Sequence, residues 1–216
     1  MKAARYPGPV TIRGPEGTLE GLWGDPGGGL APVVICHPHP LHGGTMHSKV
    51  VHTVYRVLHA AGHPTLRFNF RGVGRSGGRS TGSLAETGDV AAAARYARER
   101  ARRSGIWAAG FSFGAWAGLR WAAEDPDVER FVALGLPVDH HELDFLSRPP
   151  GELLILQGER DRYGSLEGIA VLANRLRVHA PVDVRVIAGA DHFFTGHLTA
   201  LAGALRSGLG LATEDR

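Results

Sequence analysis

Gly110-Phe111-Ser112-Phe113-Gly114 sets a serine between two glycines. The apolar run 106–110 before it reads as a strand, and 115–123 after it as a helix whose start lies near Phe113. A strand that turns straight into a helix leaves no space for side chains two positions either side of the serine. That crowding explains both glycines, and it makes the hydroxyl jut out of the turn. The helix start also aims its positive dipole end at this point, which favours developing negative charge. A serine hydroxyl is a poor nucleophile without a base, and the base needs an orienting acid. His192 follows the strand 183–187 and can be the base. Asp161 follows the strand 153–157, in Gly158-Glu159-Arg160-Asp161, and can be the acid. The order Ser112, Asp161, His192 is nucleophile–acid–histidine, unlike the orders of the trypsin and subtilisin classes. Asp139, after the strand 130–138, is a rival acid. Asp191 adjoins His192 and cannot easily reach round to its ring.

The elements that must carry these residues can be read along the chain. Residues 10–13 and 18–23 flank Gly14-Pro15-Glu16-Gly17 and read as a hairpin. Residues 32–36 form a short apolar run, as in a strand buried on both faces. A helix follows over 48–61 and stops at Gly62. The remaining strands read as 65–70, 106–110, 130–138, 153–157 and 183–187. Helices read as 84–103, 115–123, 166–178 and 198–209. After the hairpin, strands and helices alternate. That pattern implies an α/β fold: a mostly parallel central sheet with helices on both faces, in a single domain over 1–216. In such sheets the chemistry sits at the carboxyl ends of the strands, where Ser112, Asp161 and His192 fall.

With these motifs in place the chain resembles the α/β-hydrolases. It is similar to the small bacterial members related to dienelactone hydrolases and short esterases. The resemblance runs from the strand at Pro32 to the last helix. It rests on His37-Pro38-His39-Pro40, Phe70-Arg71-Gly72-Val73-Gly74-Arg75-Ser76, Gly110–Gly114, Gly158–Asp161 and Asp191-His192. Dienelactone hydrolases proper carry a cysteine nucleophile where this chain has Ser112, so their particular activity does not carry over. The family implies a second oxyanion donor in the loop after the strand 32–36. Pro38 and Pro40 have no N–H. The N–H of His39 is then the candidate by position, with the N–H of Phe113 as its partner.

Other readings compete for the remaining residues. His37, His39 and His42 are spaced one residue from the metallo-β-lactamase ligand pattern, but Leu41 stands where that pattern has aspartate. A metal-dependent hydrolase on this cluster is the lesser alternative, and no metal or cofactor is expected. His37 is expected to pack below the oxyanion loop and bond to backbone. His52, His59, His63, His140, His141, His179 and His197 read as surface or loop residues, with His197 near enough to His192 to line a cleft. Phe111, Phe113, Phe193 and Phe194 flank the catalytic candidates; Phe111, Phe193 and Phe194 are the candidate substrate wall. Trp116 and Trp121 read as core. Arg71–Ser76 reads as a turn with its glycines at positive φ, and Cys36 as an inert core thiol.

The composition is ordinary for a soluble globular protein: 216 residues, 43% hydrophobic and 21% charged, with 31 glycines and 13 prolines marking many turns. The net charge is +3, with basic residues scattered among 21 acidic ones. The short run Arg95, Arg98, Arg100, Arg102 and Arg103 reads as a solvated helix face, so no nucleic-acid partner is expected. No apolar run reaches the ~20 residues of a membrane span. The first residues lack the apolar core of a signal peptide, and one cysteine allows no internal disulfide. A cytoplasmic location is expected. Only residues 139–151 fill the gap where many relatives insert a cap, so no cap domain is expected. Together these give a serine hydrolase for small, soluble carboxylic esters. Acyl transfer, or a binding protein on a hydrolase scaffold, are the alternatives.

Overall fold

The computed structural model describes residues 7–211. The N-terminal stretch read for a signal peptide lies mostly outside them. Strands β1 (Gly8–Gly14) and β2 (Gly17–Gly24) form the hairpin. Then come β3 (Val33–Cys36), α1 (Lys49–Ala60), β4 (Thr65–Phe68), α2 (Thr87–Ala101), β5 (Ile106–Phe111) and α3 (Phe113–Ala122). The chain continues with β6 (Val128–Leu134), β7 (Glu152–Gly158), α4 (Leu166–Arg177), β8 (Val182–Ile187) and α5 (Leu198–Gly208). The eight strands form one sheet in the order β1-β2-β4-β3-β5-β6-β7-β8. β1 pairs antiparallel with β2, and β2 with β4; all other pairs are parallel.

The central strands are apolar throughout because both faces are covered. Val34 and Cys36 pack with α2, α3 and α4 on one side, while Val33 and Ile35 pack with α1 and α5 on the other. This period-two division of a continuous apolar run is the signature of a two-sided parallel sheet. Among the described residues no helix is long and apolar enough to cross a membrane.

Three boundaries depart from the sequence reading. The helix expected over 84–103 is split into a 3-10 turn, Leu84–Glu86, and α2. The Glu86 side chain is buried and accepts from Ser80 Oγ and from the N–H groups of Thr81, Gly82 and Ser83. That tight knot holds the chain off the helix path for one turn. The strand expected over 130–138 ends at Leu134, where Gly135 takes φ 52°. The strand expected over 65–70 ends at Phe68. Asn69 then turns its side chain to the Met46 N–H and to Glu20 Oε2. Between β6 and β7 the segment forms turns and no helix.

Candidate active site

The carboxyl ends of β3, β5, β6 and β7 lie side by side. Cys36 pairs with Gly110, Phe111 with Leu134, and Leu134 with Leu156. Ser112 occupies the one-residue turn from β5 into α3, with φ 54° and ψ −122°. A non-glycine residue at positive φ carries strain and persists only where its surroundings hold it. They do so here. A Cβ at Gly110 would run into the backbone of Gly114 and Ala115, and one at Gly114 would lie 2.5 Å from the Cys36 carbonyl oxygen. The glycines are there because the turn is wedged against β3.

Ser112 Oγ lies 2.9 Å from His192 Nε2. His192 Nδ1 lies 2.9 Å and 2.8 Å from the two oxygens of Asp161. A carboxylate only accepts, so Nδ1 carries the ring proton and Nε2 is left to accept from the serine. His192 is buried, and the Asp161 side chain has no exposed surface. The carboxylate is nonetheless fully partnered. Oδ1 accepts from the N–H groups of Tyr163 (2.8 Å) and Gly164 (3.3 Å), and Oδ2 accepts from Gln157 Nε2 at 2.9 Å. A buried charge needs such partners to persist. Asp139, the rival acid, is turned elsewhere: it accepts from the Ser165 N–H at 2.6 Å and from Ser165 Oγ at 3.0 Å.

The loop after β3 supplies the opposite wall. Pro38 and Pro40 have no N–H, Leu41 N–H donates to His39 Nδ1, and His42 N–H donates to the His39 carbonyl. The His39 N–H is the one left free of these uses. The Phe113 N–H begins α3 and so has no intrahelical acceptor. Beneath them, His37 is fully buried. Its Nε2 accepts from the Phe70 N–H at 3.0 Å, and its Nδ1 donates to the Pro38 carbonyl at 2.6 Å. That carbonyl shares a planar peptide unit with the His39 N–H, so anchoring one end aims the other. Both ring nitrogens of His37 are occupied by these bonds. Among the described residues no group of three His, Cys, Asp or Glu side chains is arranged to hold a metal ion.

Burial pushes the His37 imidazole down to about 4. Unfolding returns it to the ordinary value near 6.5, so between those values the unfolded chain binds more protons. Stability present above about pH 6.5 is therefore lost as the pH falls towards 4, by up to about 3 kcal/mol from this ring. Urea melts at pH 7 and pH 4 should show a steeper loss for the wild type than for His37→Gln, which cannot titrate. Equal losses would mean that His37 does not charge on unfolding.

Ser112, His192, His39 and Phe113 line a cleft of about 640 Å³. Phe111, Phe193 and Phe194 all line it. Phe193 is 59% exposed and Phe194 is buried, so the exposed ring is the one that offers surface to a ligand. Phe113 packs its ring between His39 and Trp116, at 5.0 and 5.5 Å. Sequence reasoning missed Tyr163, whose ring packs 4.5 Å from that of His192. It also left His140 and His141 as plain loop residues, whereas both line the cleft and His141 stacks on Trp116 at 4.7 Å. His197 does not line it; its Nδ1 bonds to the Thr195 carbonyl. His63, expected at the surface or in a loop, is a buried ring bonded to the Ala31 carbonyl and packed on Trp107.

Two expected structural roles hold. Gly72 and Gly74 have φ 71° and 58°, and Arg71 is buried in an ion pair with Asp89 at 2.8 Å. Cys36 is fully buried, and burial pushes its thiol pKa up, away from the reactive thiolate.

Comparison with known proteins agrees with this architecture. A family model described as the alpha/beta hydrolase fold matches residues 32–164. A structure of an alpha-beta serine hydrolase homologue from Coxiella burnetii is 37% identical with a TM-score of 0.86, covering 94% of this chain and 97% of that one. A Xanthomonas campestris protein described as an α/β serine hydrolase without lid is 31% identical with a TM-score of 0.84, covering 97% of each. A protein of unknown function from Agrobacterium tumefaciens is 31% identical with a TM-score of 0.89, covering 94% of this chain and 95% of that one. The sheet order, the serine turn between β5 and α3 and the family match over 32–164 lead to one assignment: the chain belongs to the alpha/beta hydrolase fold family.

Proposed function

We propose that this hydrolase cleaves small, water-soluble carboxylic esters through an acyl-enzyme on Ser112. The observation that carries this reading is the single imidazole, His192, bridging a strained serine hydroxyl and a buried, fully partnered carboxylate. Ser112 Oγ attacks the ester carbonyl while His192 Nε2 takes its proton. Asp161 holds the ring in the needed tautomer and stabilises the imidazolium that forms. The N–H groups of His39 and Phe113 bind the oxyanion, each worth about 3 kcal/mol of barrier. His192 then gives its proton to the leaving alcohol and takes one from water as the resulting hydroxide attacks the acyl group. It returns that proton to Ser112 Oγ as the Oγ–acyl bond breaks and the acid leaves. Each step uses only side chains and backbone of this chain and a water molecule. The serine hydrolase description of the Coxiella and Xanthomonas relatives supports the reaction class.

The substrate's size follows from what covers the serine. No helix stands between β6 and β7 to act as a cap. An uncapped cleft buries little of a long acyl chain, and burial is worth roughly 25 cal/mol per Å². On p-nitrophenyl esters, kcat/KM should peak at acetate to butyrate and fall by decanoate, with no jump in rate above the solubility limit. A maximum at long chains, or a jump at the interface, would reveal a tunnel or mobile lid and overturn the short-ester reading.

A further inference from the structure

Gln157 is the penultimate residue of β7 and is fully buried. Both polar atoms of its amide are in use. Oε1 accepts from the Leu136 N–H at 2.9 Å, while Nε2 donates to Asp161 Oδ2 at 2.9 Å and to the Gly164 carbonyl at 2.8 Å. A backbone N–H only donates, and a carboxylate and a carbonyl only accept. The amide orientation is therefore fixed by its partners.

Those partners lie on two different loops. Leu136 is the second residue after β6, on the segment whose Pro137, His140 and His141 line the cleft. Asp161 and Gly164 belong to the loop after β7. The backbone ladder between the two strands ends with the Gly135 N–H on the Leu156 carbonyl. The Gln157 side chain supplies the next rung. The fit is close, since a Cβ at Gly164 would lie 2.7 Å from Gln157 Nε2.

We propose that Gln157 is a positioning residue for the hydrolysis: its amide holds the Asp161 carboxylate where it orients His192, and ties that acid to the cleft wall after β6. The proposal rests on the reading of Ser112, His192 and Asp161 as the catalytic groups. An amide suits the place because it donates at every pH and adds no charge. The ionisable groups facing this contact are Asp161 and, through it, His192. Asp139, on the segment after β6, directs its carboxylate to Ser165. Tyr163 gives its N–H to Asp161 and packs its ring on those of His192 and His140.

The test uses p-nitrophenyl acetate, with active sites counted by a fluorophosphonate. Gln157→Met removes the donor and adds no charge. Its kcat per titrated site should fall about 10- to 100-fold, the scale of a small misplacement of a catalytic group. Its pH profile should keep its shape. Gln157→Glu places a second carboxyl beside Asp161. When ionised it favours the imidazolium form of His192, so the acid limb of kcat/KM should move up by about one pH unit. Gln157→Asn keeps a neutral amide one methylene short, and should lose rate with the acid limb in place. A merely structural role lowers melting temperature and titrated sites but leaves the rate per site and the pH profile untouched. That result in any folded variant overturns the proposal. A wild-type enzyme that is inactive, or not labelled at Ser112, fails the triad reading instead. A wild type that is active, alongside variants that match it per site, fails the role of Gln157 alone.

Discussion

Replacing Ser112 by alanine is expected to lower kcat on p-nitrophenyl acetate by about six powers of ten, to a rate near that left by an oxyanion site without a nucleophile. The effect is this large because the proposed machinery acts as a unit. His192 is held by Asp161 to accept one proton, and that proton comes from Ser112 Oγ, 2.9 Å away. Without the hydroxyl no acyl-enzyme can form, and the imidazole has only water to activate. The substitution also relieves no packing constraint, because the wedge that strains residue 112 comes from Gly110 and Gly114 against their neighbours' backbone. The variant should therefore fold and melt like the wild type. An Ser112→Ala enzyme with kcat within tenfold of the wild type would mean that another group carries the acyl.

Asp161→Asn is the second large effect, expected to cost about 10⁴-fold in kcat. The surrounding hydrogen bonds say how. Oδ1 accepts from the Tyr163 and Gly164 N–H groups, so an asparagine oxygen settles there. Its NH2 then replaces Oδ2, facing His192 Nδ1 and the Gln157 amide donor. Nδ1 then keeps only the oxygen already shared with two N–H groups and meets an NH2 in place of the other. That favours the tautomer with the ring proton on Nε2, where the base cannot take a proton from serine. Asp139→Asn makes the opposite case. An asparagine oxygen can still accept from the Ser165 N–H, so kcat should be unchanged and stability should fall by no more than about 1 kcal/mol. Measuring both variants at one pH decides between the two acids. A severe Asp139→Asn with a mild Asp161→Asn would move the acid to the end of β6.

Much of this could be read in the sequence because of strong local constraints. The spacing of Gly110, Ser112 and Gly114 reports a turn too tight for a Cβ at either glycine. The alternation of apolar strands and helices fixes which loops share one end of the sheet. That was enough to place Ser112, Asp161 and His192 as neighbours. It was also enough to anticipate His37 below the loop that carries His39. What stayed hidden depends on how separate segments pack. His63 is buried because the segment at Ala31, before β3, and Trp107 of β5 both meet it. The break at Glu86 needs four donors gathered around one carboxylate, which no periodicity reveals. Tyr163, His140 and His141 become cleft residues through the mutual approach of the loops after β6 and β7. Gln157 left one trace: a polar side chain ending the apolar run Leu153–Leu156. Its use became visible only with Leu136 and Asp161 both within reach.

The most direct test of the central claim is to treat the enzyme with a fluorophosphonate and map the adduct by peptide mass spectrometry. The account predicts one phosphonyl group on Ser112, formed in step with the loss of esterase activity, and no labelling of Ser112→Ala. Loss of activity with Ser112 unmodified and the label on another residue would contradict it.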